Sequence, residues 1–353
     1  MKKLKIAVIG VGNISQVHIQ AYLQNEHVEL VALCDINEKV LRAAGERYHI
    51  ARLYTDEATM LQELPEIDAV SVCTWNSAHA PCSIMALRAG KHVLCEKPMA
   101  LNAEEAEQML AVSKECGKKL MIGFVRRFGN DAEILQDFID AGTFGEIYYA
   151  KATYLRRNGN PGGWFGDKKR SGGGPLIDLG VHVIDLTRYL MGNPKPVSVY
   201  GATFQKLGNR RGLKEHVEYS SVIRSENDIC DVEDFATAMV RYDNGAVLNV
   251  EASFCLNIKE DVGKIELFGT AGGAKLDPQL EIYTDSCGYL TNVSLNRSTA
   301  LDFNGLFERE INYFVDAILQ DKDVSSIAQD GVEIMKVLDA IYESAETGRE
   351  VLL

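Results

Sequence analysis

Residues 4–15 read LKIAVIGVGNIS, and this stretch decides the fold of the first part of the chain. Leu4–Ile9 is a short, mostly apolar run that predicts a buried strand, and the G-x-G-x-x-S pattern predicts a tight turn into a helix ending near Leu23. The first glycine permits the turn, and the second lets the backbone approach a pyrophosphate. The helix N-terminus offers that anion its free N–H groups, while Ser15 is small enough to keep helix and strand close. The stretch therefore predicts a dinucleotide site.

An acidic residue follows the second predicted strand. Val28–Cys34 ends in Asp35, about 20 residues beyond the glycines, where a carboxylate can accept hydrogen bonds from an adenosine ribose. The alternative is that Asp35 caps the next predicted helix, Asn37–Tyr48. A carboxylate here repels a 2′-phosphate, and neither Ile36 nor Asn37 supplies a compensating cation. The cofactor is therefore expected to be NAD, in preference to NADP.

Strand and helix patterns alternate as far as Gly123. The predicted elements are strand Asp68–Cys73, helix Ser77–Ala89, strand His92–Cys95, helix Ala103–Cys116 and strand Lys119–Gly123. This alternation predicts a parallel, doubly wound Rossmann sheet over residues 1–123, with ligands at the carboxyl ends of its strands. Thr74-Trp75-Asn76 and Glu96-Lys97-Pro98 stand at two such ends. Lys97 is either held at the mouth of the site or an ordinary solvated lysine.

The pattern changes after Gly123, and residues 124–353 are predicted to form a second domain of the α+β class. A helix near Asp131–Ala141 and a strand at Glu146–Tyr154 come first. Asn244-Gly245 lies between two strand patterns, which is a strong hairpin signal, and antiparallel pairs dominate from there. The polar stretch Lys206–Asn227 predicts a long surface loop. Two helices are predicted at the end of the chain, and the last one has the option of packing back on the first domain.

Ser171-Gly172-Gly173-Gly174-Pro175 precedes a helix that is predicted to run to Tyr189. This helix is apolar almost all round, yet Asp178, His182 and Asp185 recur at i, i+4 and i+7 and form one narrow stripe. A buried carboxylate and imidazole are costly unless they have partners or face a cleft. The stripe is therefore either a satisfied buried pair or part of an active site.

Composition restricts the classes of function. The net charge of −13 argues against non-specific nucleic-acid binding and against an anionic membrane surface as partner. Eight cysteines occur without a C-x-x-C pair, which indicates free thiols in a reducing compartment. Apolar runs are too short to span a membrane, and the N-terminal one is too short for a signal peptide. These three observations together favour a cytoplasmic protein. The histidines show no metal-ligand spacing, so no metal site is expected.

Taken together, these motifs resemble the Gfo/Idh/MocA family, named after glucose–fructose oxidoreductase, inositol dehydrogenase and a rhizopine-catabolism protein. The matching segments follow the family's order over most of the chain: Gly10-Val11-Gly12 with His18, Ala89–Pro98, Arg127-Phe128, Trp164-Phe165, Ser171–Gly174 with Asp178–His182 and Asp185, Glu233-Asp234-Phe235, and Gly269–Gly273. Two of them are specific, namely Glu-Lys-Pro and the triple glycine followed by aspartate and histidine. The resemblance implies a nicotinamide dinucleotide in the first domain. It also implies that the second domain is a large, open, mostly antiparallel sheet for substrate and oligomer contacts.

The resemblance further implies roles for individual residues. Lys97 is expected beside the nicotinamide and a substrate hydroxyl, His182 is expected to be the acid/base, and Asp178 is expected to support them. Oxidising an alcohol needs a hydride acceptor, a base and a positive group near the oxygen, and these residues meet that need. The residues expected to contact the cofactor are Gly10, Gly12, Asn13, Ile14, Asp35, Thr74, Asn76, His79, Glu96 and Lys97. Trp75 departs from the family, where a proline is common at this place.

The expected reaction is hydride transfer between NAD and a secondary alcohol of a sugar, cyclitol or sugar derivative. The residues predicted to contact substrate are Arg127, Arg156, Trp164, Asp178 and His182. The indole offers an apolar face to a pyranose or cyclitol, whereas the arginines either admit an acidic sugar or pair with carboxylates.

Two alternatives to this dehydrogenase are a redox-neutral enzyme that uses bound NAD transiently, in glycoside cleavage or epimerisation, and a non-catalytic, dinucleotide-sensing regulator. Retention of the lysine, aspartate and histidine together favours an enzyme, because a sensor has no need of a proton relay. Under the resemblance, a homodimer or homotetramer through the open sheet is expected.

Overall fold

The computed structural model describes residues 3–208, 210, 213, 219–221 and 228–353. Two compact units make up the chain: Met1–Gly123 with Asn304–Met335, and Phe124–Phe303 with Lys336–Leu353. Most of the predicted surface loop Lys206–Asn227 lies outside the described residues. No helix in the described part of the chain is long and apolar enough to cross a membrane.

The first unit is built on a six-stranded parallel sheet. Its strands are β1 (Leu4–Ile9), β2 (Val28–Cys34), β3 (Leu53–Tyr54), β4 (Ala69–Val72), β5 (His92–Glu96) and β6 (Leu120–Gly123). They lie in the order β3-β2-β1-β4-β5-β6. Successive strands are added on one side of β1 as far as β3 and on its other side from β4 onward. In doubly wound folds the ligand crevice opens at this change of side, between β1 and β4. The predicted Rossmann architecture is confirmed.

The connecting helices of this sheet are α1 (Ser15–Gln24), α2 (Glu38–Tyr48), α3 (Glu57–Glu63), α4 (Asn76–Arg88) and α5 (Ala103–Cys116). Ile6, Ala7 and Val8 of β1 are fully buried, because helices cover both faces of a parallel sheet and leave no polar side to its strands. The sequence did not reveal β3 or α3. β3 has only two residues, too few for a periodic pattern, and α3 is marked only by its cap, Asp56, whose carboxylate accepts from the N–H of Thr59 at 2.7 Å.

The second unit contains a nine-stranded sheet. Its strands are β7 (Ile147–Leu155), β8 (Pro196–Phe204), β9 (Phe235–Tyr242), β10 (Val247–Ser253), β11 (Val262–Gly269), β12 (Gly272–Leu276), β13 (Glu281–Ser286), β14 (Tyr289–Val293) and β15 (Val351–Leu352). The order is β14-β13-β12-β11-β7-β10-β9-β8-β15, and only the central pair β7 and β10 is parallel. The predicted hairpin joins β9 to β10, where the N–H of Tyr242 donates to the carbonyl of Ala246 at 2.9 Å. The mostly antiparallel sheet is confirmed.

The remaining helices are α6 (Asn130–Asp140), α7 (Lys168–Ser171), α8 (Val181–Leu190), α9 (Phe303–Leu319) and α10 (Ser325–Thr347). α8 packs against β7 on one face of the nine-stranded sheet, where Ala150 and Ala152 are buried. On the opposite face alternate residues stay partly open to solvent, among them Tyr200 and Met239. We call this second surface the open face of the sheet.

Candidate active site

The turn after β1 accommodates only glycine at its first position. Gly10 has a φ of +85°, and a Cβ on it would lie 2.6 Å from the carbonyl oxygen of Cys73 at the end of β4. The N–H of Gly10 donates to the carbonyl of Cys34 at the end of β2, at 2.8 Å. The turn is thus fastened to the strands on both sides of β1, at the point where the crevice opens.

Gly12 borders open space. No heavy atom of the described residues lies within 4 Å of the position that its Cβ would take. Asn13 and Ile14 complete the turn, and α1 begins at Ser15 without a side-chain cap from the described residues. An open stretch of backbone in front of an uncapped helix N-terminus fits the pyrophosphate of a dinucleotide, because both the N–H groups and the helix dipole favour an anion.

Asp35 is held in place by the backbone on both sides of the crevice. Its Oδ2 accepts from the N–H of Val11 at 2.8 Å, and its Oδ1 accepts from the N–H of Asn37 at 2.7 Å. Asn37 caps α2 by accepting from the N–H groups of Lys39 and Val40. The alternative role of Asp35 as a helix cap is therefore wrong. The carboxylate stands beside the glycine turn, as an interaction with an adenosine ribose requires.

One histidine joins the two strand ends that the sequence pointed to. His79 of α4 is buried, with Nδ1 2.7 Å from the carbonyl oxygen of Pro98 and Nε2 3.2 Å from that of Thr74. Burial lowers the pKa of His79, although its contact with the Pro98 carbonyl opposes that shift. Asn76 begins α4 and is also buried. His79 thus lies between the ends of β4 and β5, where its neutral ring can donate to one of the two carbonyls, and its contact with the cofactor stays a prediction.

Glu96 fixes the backbone of Lys97. Its Oε1 lies 2.8 Å from Nε2 of His18 on α1, and its Oε2 accepts from the N–H of Lys97 at 3.2 Å. Burial acts to raise the pKa of Glu96, but the hydrogen bond and charge of His18, together with the Lys97 ammonium, hold it below its usual value. Glu96 and Pro98 are buried, whereas Lys97 between them is half-buried. Lys97 therefore differs from its neighbours in keeping part of its side chain accessible.

The same network extends to α9. His18, Glu96 and Glu310 are buried, and their possible metal-ligand atoms lie within 4.8 Å of one another. Nδ1 of His18 also lies 3.2 Å from the Ser71 hydroxyl, which is 2.7 Å from that of Tyr22. Both ring nitrogens of His18 are thus at hydrogen-bonding distance from protein groups. That this protein works without a metal stays a prediction.

The helix that carries Asp178 and His182 differs from the prediction in its first turn. Leu176–Gly180 is a π-helical turn, and the α-helix begins at Val181. A continuous α-helix from Pro175 is therefore wrong, and the i, i+4 stripe does not hold across this turn. Such π turns are frequent at functional sites. Asp178 and His182 are half-buried, whereas Asp185 is 1% exposed, so the three do not share one environment.

The triple glycine is explained by what packs on it. A Cβ on Gly173 would lie 1.9 Å from the hydroxyl oxygen of Tyr342, and one on Gly174 would lie 2.4 Å from the carbonyl oxygen of Glu233. The Glu233 carboxylate accepts from the N–H groups of Gly174 and Leu176. The sequence assigned no role to Glu233 beyond a motif match and gave no sign of Tyr342. Contacts across such sequence distances leave no local pattern.

Among the predicted substrate residues, Arg127 forms a buried bidentate pair with Asp185. Its Nε and Nη2 lie 2.9 and 2.5 Å from the two carboxylate oxygens, and its guanidinium also stacks over Phe124 and Tyr189. This arrangement is the carboxylate pairing that was the alternative for the arginines. A contact between Arg127 and substrate stays a prediction.

In the second unit, Arg156 follows the end of β7, and Trp164 lies in a short 3-10 turn, Gly163–Gly166. Arg156 donates to the carbonyl of Gly159 at 3.2 Å and stacks over the Tyr154 ring. Burial opposes the shift, but the charge and hydrogen bond of Tyr154, together with the charge of Asp178, raise the pKa of Arg156. Trp164 is half-buried and stacks on Phe165 with ring centroids 3.9 Å apart. Both side chains thus stack on a neighbouring aromatic ring.

Comparison with known proteins agrees with this geometry. Residues 4–124 match an oxidoreductase family model described as an NAD-binding Rossmann fold, and residues 136–353 match the C-terminal alpha/beta domain of the same family. D-glucoside 3-dehydrogenase of Escherichia coli K12 is 36% identical over 99% of this chain and 97% of its own length. Inositol 2-dehydrogenase of Rhizobium meliloti is 27% identical over 99% of this chain and 98% of its own length.

The fold itself is shared with a solved dehydrogenase. Levoglucosan dehydrogenase in complex with NADH superposes with a TM-score of 0.86 at 25% sequence identity, over 99% of both chains. The glycine turn, the Glu-Lys-Pro strand end and the triple glycine thus occur in this chain in the same two-part architecture. Since both parts are matched over nearly the whole length, the chain belongs to the Gfo/Idh/MocA family of NAD-binding oxidoreductases.

Proposed function

We propose that this protein is an NAD-dependent dehydrogenase of a secondary alcohol on a sugar or cyclitol ring, and that a D-glucoside is the first substrate to test. The observation that carries the proposal is the half-buried pair Asp178 and His182 on a helix whose apolar side chains are buried. A polar pair kept accessible on such a helix suits a substrate hydroxyl. The D-glucoside and inositol dehydrogenases among its relatives support a polyhydroxylated ring as the substrate class.

The chain's own residues divide the work as follows in this proposal. NAD, when bound, accepts the hydride from the alcohol carbon. His182 takes the proton of the reacting hydroxyl, since an imidazole exchanges protons near neutral pH. Lys97 stabilises the negative charge that develops on the oxygen, and Asp178 orients the hydroxyl or the imidazole. Gly12 and the start of α1 receive the pyrophosphate, and Asp35 receives the ribose hydroxyls.

Substrate recognition is proposed to rest on Trp164 and Arg156. The half-buried indole offers an apolar surface to the C–H face of a pyranose or cyclitol. Arg156 is proposed to donate to a hydroxyl of the ring, since its guanidinium offers several N–H donors. An uncharged ring is the expected substrate, and a uronic acid is the runner-up because of the guanidinium.

Incubation with NAD and a panel of ring alcohols tests this function. The panel contains methyl glucosides, free hexoses, inositols and uronic acids, and the readout is NADH formed per molecule of substrate consumed. Stoichiometric NADH with at least one ring alcohol is expected. Substrate consumption without NADH indicates a redox-neutral enzyme. Tight NAD binding without turnover of any panel member indicates a sensor, and turnover restricted to linear alcohols contradicts the substrate class.

We also propose that the protein is cytoplasmic and forms a homodimer or homotetramer. All eight cysteines are free thiols, which supports a reducing compartment. The open face of the nine-stranded sheet exposes Tyr200 and Met239 directly opposite one another in register, at 57% and 49% exposure. Large exposed apolar side chains on a flat sheet support its use as a subunit interface.

A further inference from the structure

We propose that Glu233 is a positioning residue for catalysis: its carboxylate holds the π-helical turn that sets the placement of Asp178 and His182. The inference rests on the function proposed above and adds a residue to which that function assigns no role. Glu233 lies two residues before β9, is 8% exposed and belongs to the second unit, as the helix does.

The carboxylate meets the start of the helix at two backbone positions. Its Oε2 accepts from the N–H of Gly174 at 2.9 Å, and its Oε1 accepts from the N–H of Leu176 at 3.1 Å. Such N–H groups at the beginning of a helix have no partner within the helix, and a negative charge there is also favoured by the helix dipole. Glu233 is thus a helix cap supplied by a distant segment of the chain, just before β9.

Gly174 and Leu176 are in turn hydrogen-bonded to the π-helical turn and to the residue before His182. The carbonyl of Gly174 accepts from the N–H of Asp178 at 3.0 Å. The carbonyl of Leu176 accepts from the N–H of Val181, the residue before His182, which closes the π turn. A shift of Gly174 and Leu176 therefore moves both functional side chains by way of single hydrogen bonds.

Tyr342 of α10 holds the carboxylate from the other side. Its hydroxyl donates to Oε1 of Glu233 at 3.0 Å, and it also fills the space above Gly173, where a Cβ would lie 1.9 Å away. Burial raises the pKa of Glu233, while the hydrogen bonds from Gly174 and Leu176 oppose that shift. Three donors thus converge on one buried carboxylate, which fixes it against rotation.

Glu233→Gln is the sharpest variant, because it keeps the shape of the side chain. An amide has one acceptor oxygen, so its NH2 group must face one of the two backbone N–H groups as donor against donor. The helix start must then shift, and a misplacement of about 1 Å at a reacting group costs up to about 100-fold in rate. We expect kcat to fall at least about tenfold on the best glucoside or inositol of the panel, while the Kd for NADH stays within about twofold.

Asp234→Asn is the matched control. Asp234 is the neighbouring buried carboxylate, and it accepts from the N–H groups of Lys206, Leu207 and Gly208 instead of from the helix. Asp234→Asn therefore disturbs a similar set of hydrogen bonds, but those bonds come from residues 206–208 and not from the backbone at the start of the helix. Tyr342→Phe should give an intermediate loss of kcat, because both backbone N–H groups keep their acceptor.

A second readout does not depend on turnover. The imidazole resonance of His182, assigned by its loss in His182→Asn, should shift in Glu233→Gln and stay in place in Asp234→Asn. Unchanged kcat and an unchanged His182 resonance in folded Glu233→Gln overturn the inference, as does an equal loss in Asp234→Asn. If Glu233→Gln does not fold, Glu233→Asp and Tyr342→Phe decide by the same criteria. A wild-type protein that turns over nothing contradicts the proposed function, and the resonance shift still tests the inference.

Discussion

Lys97 and His182 carry the sharpest prediction at the scale of single residues. Lys97→Met and His182→Ala should each lower kcat by at least about 100-fold, because one loses the charge that stabilises a developing alkoxide and the other loses the general base. The Kd for NADH should stay near the wild-type value, since neither side chain is proposed to hold the pyrophosphate or the ribose. Steady-state kinetics with the best ring alcohol, and NADH titration by fluorescence, check both points. Near-normal kcat in both variants would falsify the assignment.

The same two variants are expected to differ in how their rates depend on pH. In wild type the rate of alcohol oxidation should rise with pH, because a base accepts the substrate proton only in its deprotonated form. This rising limb should be lost in His182→Ala and kept in Lys97→Met. A pH–rate profile of kcat/KM in all three proteins is the measurement. A limb that survives in His182→Ala assigns the base to another residue.

Asp35 is predicted to set the choice between NAD and NADP. Its oxygens are held by the N–H groups of Val11 and Asn37, so the carboxylate cannot easily move away from a 2′-phosphate. Asp35→Ser should lower kcat/KM for NAD and raise it for NADP. Asp56→Ser is the matched control, because Asp56 also receives a backbone N–H but caps the exposed start of α3. The idea fails if wild type prefers NADP.

At the scale of elements, His92 links the pairing of β5 and β6 to pH. Its Nδ1 accepts from the N–H of Lys119 at 3.0 Å, which requires a neutral ring. Burial, together with the charges of Lys118 and Lys119, lowers the pKa of His92 to about 4. In the unfolded chain a histidine titrates near about 6.5, so the unfolded state binds the extra proton between about pH 6.5 and 4. The free energy of unfolding should therefore fall as pH drops through this window.

His92→Asn isolates that contribution. The amide oxygen keeps an acceptor for Lys119 but cannot titrate, so the variant should lose less stability than wild type between pH 7 and 5. Urea unfolding at a series of pH values measures the difference. His27→Asn is the control, because His27 is partly exposed and has no such buried acceptor role. Parallel pH dependence in wild type and His92→Asn would show that another group is responsible.

The elements that the sequence predicted well are those with a long periodic or punctuated signal. β1, β2 and α5 were placed to within a few residues by apolar runs and flanking glycines. The π turn at Leu176–Gly180 had no such signal, because its helix is apolar almost all round and no periodicity distinguishes a wider turn. Its anchors, Glu233 and Tyr342, come from the segment before β9 and from α10, and only the folded chain brings them together.

The residues of the candidate site also differ in how well the sequence predicts them. Gly10, Gly12 and Asp35 belong to one local unit, and the structure places Asp35 beside the glycine turn. Their contacts with the cofactor stay a prediction. The partner of Arg127 lies 58 residues away on α8, and no rule of composition could choose Asp185 from the many carboxylates of the chain. The sequence alone does not specify which distant side chains pair in the folded protein.

For the whole molecule, the open face of the nine-stranded sheet predicts self-association. Tyr200 and Met239 pair directly across β8 and β9, and Phe204 stacks on Phe235 further along the same two strands. A stable subunit interface buries about 800 Å² on each partner, and a flat sheet that exposes several large apolar side chains can supply such an area. Light scattering coupled to gel filtration should therefore give the mass of a dimer or tetramer for wild type.

Met239→Lys, alone or with Tyr200→Glu, should shift the protein toward monomer, because a charge at the centre of an apolar contact must be buried without a partner. Met85→Lys is the matched control: Met85 lies on α4 and is 41% exposed, close to the 49% of Met239, but it is not on the sheet. The control should keep the wild-type mass. A wild-type monomer, or an unchanged mass in the double variant, would mean that the apolar side chains of the open face serve another purpose.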